Sequence, residues 1–98
     1  MLKIMVACAM GAGSSLMMKM KVQEVMKELD VDADIYHCTI SEAKGIAGRY
    51  NLILTAMNFV PSFKKAQEEG VKVIGIKNVL SVKEIKEKIL ESGVIRQR

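Results

Sequence analysis

The chain has 98 residues, half of them hydrophobic and 27% charged, with a formal net charge of +4. That length supports one core and not two, so a single domain over 1–98 is expected, and the composition excludes a disordered or low-complexity chain. Aromatic residues are confined to Tyr36, Tyr50, Phe59 and Phe63, and the cations are scattered among acids, which leaves nucleic acid neither a stacking platform nor a basic stripe.

Met1 to Ala7 is expected to be a buried strand, because Ile4, Met5, Val6 and Ala7 form the short apolar run of a strand covered on both faces. The run breaks at Gly11 and Gly13, far short of the roughly 20 apolar residues of a membrane span, and it lacks the pattern of a secretory signal. A cytoplasmic protein, not itself membrane-embedded, is therefore expected. Its two cysteines, Cys8 and Cys38, have neither metal-ligand spacing nor the density of a disulfide scaffold, and read as reduced thiols.

Ser14 to about Leu29 places Met18, Val22, Val25 and Leu29 at helical spacing, with Lys19, Lys21, Gln23, Glu24, Lys27 and Glu28 on the wet side. Asp32 to Cys38 reads as a second strand, and Ser41 to about Ile46 as a short helix capped by Ser41. Asn51 to Met57 is a third, buried strand. Asn58 is placed to cap a helix ending at Glu69 before Gly70, with Pro61 acceptable only in its first turn. Val71 to Ile76 is a fourth strand, and Ser81 with Glu84 makes a capping box for a last helix bearing Val82, Ile85 and Ile89. The tail from Arg96 to Arg98 is expected to fray. Strands alternating with helices imply right-handed crossovers. The expected fold is α/β, an open doubly wound four-stranded parallel sheet in the order 2-1-3-4 with helices on both faces, Rossmann-like or flavodoxin-like.

The segment Cys8-Ala9-Met10-Gly11-Ala12-Gly13-Ser14-Ser15 lies between the first strand and the first helix, where open parallel sheets place ligands. Gly11 and Gly13 permit the backbone turns that point consecutive amides inward as an anion nest, and Ser14 and Ser15 can cap the helix and donate hydroxyls. Cys8 at the mouth of such a nest would feel the positive helix end, which favours thiolate over thiol. The same donors would meet the oxygens of a phosphoryl group on the sulfur. Cys8 is thus the expected nucleophile, and Ala9, Met10, Gly11, Ala12, Gly13, Ser14 and Ser15 the expected phosphate-binding residues. No metal or cofactor is required.

This strand-Cys-Ala-Met-Gly-Ala-Gly-Ser-Ser-helix opening resembles the IIB component of bacterial sugar phosphotransferase systems (PTS), most closely the ascorbate-type branch of the lactose, ascorbate and galactitol IIB-like proteins. The Met-rich helix start from Leu16 to Met20, the His37-Cys38-Thr39 segment and the βα order extend the resemblance along the chain. It implies that Cys8 accepts phosphate from a phosphohistidine of a IIA protein and passes it to a sugar, ascorbate by analogy, bound by the IIC membrane transporter. Ala9 departs from the pattern, standing where the family commonly has glycine.

The other residues near this edge carry two readings each. Cys38 reads as a packed thiol. His37 is either a satisfied, partly exposed histidine or a functional one, as general base or phosphate ligand. Asn58 is either a helix cap or a second wall of the crevice, and Met10 and Met17 are either surface methionines or a docking surface. Two other functions compete. A low-molecular-weight cysteine phosphatase-like enzyme needs an arginine six residues after the cysteine, where this chain has Ser14. A regulatory docking module, read out by its phosphorylation state, would use the same site without onward transfer.

Overall fold

Four parallel strands, β1 (Leu2–Cys8), β2 (Ala33–Thr39), β3 (Leu52–Ala56) and β4 (Lys72–Ile76), form one sheet in the order β2-β1-β3-β4. The computed structural model describes residues 2–8, 12–78 and 81–93, and for Cys8 and residues 12–15 the backbone alone. The expected order and parallel pairing are both present. Ile4 to Ala7 and Leu52 to Thr55 are fully buried because the two central strands are covered on both faces, which explains their unbroken apolar sequence.

Alternation along the strands divides the core into two layers. Ile4, Val6, Ile35, Leu52, Leu54, Ile74 and Ile76 face α1 (Ala12–Glu28) and α4 (Val82–Ser92), which contribute Met18, Val22, Val25, Met26, Ile85 and Ile89. Each aliphatic side chain so buried stabilises the fold by about 1.5–3 kcal/mol relative to exposure. Met5, Ala7, Cys38 and Ile53 face the other way, against α2 (Ile40–Ile46), the 3₁₀ turn Ala47–Arg49, a 3₁₀ segment Met57–Phe63 and α3 (Lys64–Glu68). Helices therefore cover both faces, as expected.

Helix ends follow local chemistry. α1 closes when Asp30 takes a left-handed φ of 57°, so that Asp30 N–H donates to the Lys27 carbonyl and Val31 N–H to that of Met26. α3 closes at Gly70 (φ 98°), as its sequence position predicts, and α4 at Gly93 (φ 74°).

Three local expectations are corrected. The second helix is capped by Thr39 instead of Ser41: the Thr39 hydroxyl accepts from Glu42 N–H at 3.3 Å. Thr39 and Glu42 have the T-x-x-E spacing that signals a helix start, and Ser41 already lies inside the helix. Asn58 does not cap a continuous helix; it is the second residue of the 3₁₀ segment, and α-helical turns begin only at Lys64. Pro61 has no N–H to send to the Met57 carbonyl and its ring would collide with it, so an α turn cannot form there. The first helix starts at Ala12, two residues earlier than expected, so Gly13, Ser14 and Ser15 lie in its first turn.

Candidate functional site

Because all four strands run the same way, their carboxyl ends lie along one edge of the sheet: Cys8 on β1, Thr39 on β2, Ala56 on β3 and Ile76 on β4. Cys8 is the last residue of a central strand, and its Cα is in register with that of Thr39. Residues 9–11 separate it from the start of the 17-residue helix α1. The first amides of an α-helix have no intrahelical acceptor and carry the positive end of its dipole. The backbone N–H groups of Ala12, Gly13 and Ser14 hold those positions, and helix starts of this kind are common sites of anion binding in proteins. Of the expected phosphate-binding residues, Ala9, Met10 and Gly11 lie outside the described residues.

The remaining candidates are distributed unevenly around this edge. His37 is partly exposed and in register with Val6, two residues short of the end of β2. At about 3.3 Å of rise per residue that sets it roughly 7 Å below the edge. Asn58 is exposed, two residues beyond the end of β3, the strand paired with β1. Met17 is 50% exposed on α1, with Leu16 (45%) and Met20 (59%) beside it, whereas Met18 is fully buried, as expected of a core position. Cys38 is buried, 6% exposed, among Met5, Ala7 and Ala43 in the layer under α2.

Two features of this edge escaped the sequence patterns. Ser81 caps α4 by accepting from Glu84 N–H at 3.2 Å, but the Glu84 carboxylate does not return to Ser81; it accepts from Lys77 N–H at 2.7 Å and Asn78 N–H at 3.0 Å. Those two hydrogen bonds hold its pKa below the usual 4.5 and tie the exit of β4 to α4. Thr55, inside the expected third strand, lies within β3 in register with Ala7 and Gly75, fully buried, and its hydroxyl has no hydrogen-bond partner among the described residues. Leaving a buried hydroxyl unpaired costs about 1–3 kcal/mol. Among the described residues, no group of three or more His, Cys, Asp or Glu side chains could hold a metal ion.

Residues 3–91 match the family described as PTS system, Lactose/Cellobiose specific IIB subunit. The chain belongs to this IIB family. Named relatives agree: it is 29% identical over 86 residues, 88% of each chain, to the ascorbate-specific PTS system EIIB component of Mycoplasma pneumoniae. It is 27% identical over 89 residues, 91% of this chain and 86% of the other, to the component of the same name from Salmonella choleraesuis. The fold of this IIB chain is also that of the lactose-specific IIB component domain of Streptococcus pneumoniae, with a TM-score of 0.72 at 21% identity over 93% of this chain and 96% of that one. IIB components are phosphotransferases of sugar transport that work with IIA and IIC partners, so phosphoryl transfer is the chemistry of this chain. No helix among the described residues is long and apolar enough to cross a membrane.

Proposed function

We propose that this chain is a cytoplasmic phosphoryl carrier, one domain over 1–98, in which Cys8 takes a phosphoryl group from a IIA phosphohistidine and passes it to a sugar bound by the IIC membrane transporter. The observation that carries the reading is the position of Cys8, at the end of a central strand and just ahead of the N-terminus of α1, in a IIB-family chain. In the first step the Cys8 thiolate attacks phosphorus in line; the P–S bond forms, the P–N bond breaks and the imidazole leaves. In the second, a sugar hydroxyl attacks phosphorus, loses its proton to solvent or a base of the transporter, and returns the thiolate.

Amides of Ala9, Met10, Gly11, Ala12, Gly13, Ser14 and Ser15 receive the three phosphoryl oxygens, stabilising both the transferring group and the phosphocysteine. Backbone donors suit a carrier: they grip the oxygens without the arginine clamp a phosphatase uses, and Ser14 occupies that arginine's place. Asn58, exposed beside the end of β3, is the second-wall candidate; His37, two residues back on β2, is the weaker one.

Ascorbate is the sugar supported by the names of the relatives, against the lactose or cellobiose of the family description. The test combines a phosphorylated IIA donor, this chain and vesicles bearing the ascorbate IIC transporter, with ascorbate, lactose and cellobiose offered separately. Formation of ascorbate phosphate that requires the chain is expected. Stable labelling of the chain with no sugar phosphate would favour the regulatory module instead.

A further inference from the structure

The second and third turns of α1 expose a side-chain stripe that the core does not use. Leu16, Met17 and Met20 are 45%, 50% and 59% exposed, and at 100° per residue they fall within an arc of about 100°. The buried Met18, Val22, Val25 and Met26 occupy the opposite side of the helix. Lys19 and Lys21 flank the stripe, one on each side, and residues 12–22 contain no acid. One turn further on the same side becomes charged, at the exposed Glu24. The apolar stretch thus lies in the second and third turns of α1, toward the Cys8 end, where a helix serving only the core would carry polar residues.

Resting on the carrier reading, we infer that Leu16, Met17 and Met20, with Lys19 and Lys21, form the docking surface for the phosphohistidine donor protein. Three observations select this occupant. Any protein whose phosphohistidine reaches Cys8 must cover the start of α1, which follows Cys8 after only residues 9–11. The donor arrives carrying a phosphoryl dianion and meets two lysines; once the dianion has passed to the chain, that attraction weakens and the spent donor leaves. A second copy of the chain would instead set Lys19 and Lys21 against their own kind. Three side chains are also a small patch, suited to an encounter that must end after each transfer, and flexible thioethers adapt to a partner's shape at little cost.

The test is single-turnover transfer from a purified, phosphorylated IIA-type donor to the full chain, read by intact mass over a range of donor concentrations. Met20→Glu should raise the half-saturating donor concentration about tenfold and leave the rate at saturation within about twofold of the parent, whereas Met20→Leu should match the parent. Raising salt should slow transfer at low donor concentration more than at saturation. An unchanged half-saturating concentration in Met20→Glu would overturn the inference. So would a defect found only in onward transfer to IIC vesicles, or one found only as loss of a dimer. Failure of the parent chain to become labelled at all would overturn the carrier reading itself, and this inference with it.

Discussion

Cys8 and Thr39 stand in register at the carboxyl end of the β1–β2 ladder, so the last residue of a central strand lies beside the residue that caps α2. Cys8 therefore has the start of α1 following it in the chain and the start of α2 on the adjacent strand. The parallel sheet is what brings these ends together; an antiparallel neighbour would have offered the opposite helix end.

Gly75 sets how the far side of this edge is built. A Cβ placed on it would lie 2.7 Å from Val60 Cγ2 and 2.9 Å from Met57 Cα, and the latter is backbone that cannot rotate aside. Gly75→Ala is expected to destabilise the fold by about 1–3 kcal/mol through displacement of the 3₁₀ segment. Chemical denaturation checks it; unaltered stability would mean that the segment is not packed on β4 as described.

Thr55 makes the opposite prediction. Its hydroxyl is buried and unpaired among the described residues, so replacement by the isosteric valine removes a desolvation penalty without opening a cavity. Thr55→Val should gain about 1 kcal/mol, a rise in Tm of roughly 4–8 °C for a domain of this size. A lower Tm would show that the hydroxyl has a partner.

The sign of the Glu84 effect follows from its lowered pKa. The folded state favours the carboxylate through the Lys77 and Asn78 amides, so its stabilisation is complete above the ordinary value of 4.5 and is lost as pH falls through the lower folded value. Glu84→Gln should lower Tm near neutrality, and the gap to the parent should close as pH drops below 4.5. A gap that persists in acid would place the effect in packing instead of charge.

The sheet was legible because its central strands are continuous apolar runs, and its parallel pairing follows the alternation of strands with helices. Gly70 and Ser81 were readable as local helix-end signals. What escaped depends on competition between neighbours or on contacts across the fold. Thr39 competed with Ser41 for one cap, and the T-x-x-E spacing to Glu42 would have decided it. Pro61 turned an expected helix into a 3₁₀ segment, the close approach of that segment to Gly75 is a contact across the fold, and Glu84 found partners just past β4 that no capping pattern contains. At the site, Cys8 stood out by its glycine-rich surroundings, and helical spacing already separated the buried Met18 from the exposed Met17.

The central claim is that one sulfur carries the phosphoryl group, and intact-protein mass measurement of the parent chain, Cys8→Ser and Cys38→Ser after incubation with a phosphorylated IIA donor tests it most directly. The account predicts one added phosphoryl group on the parent and on Cys38→Ser, and none on Cys8→Ser. Equal labelling of Cys8→Ser and the parent would contradict it.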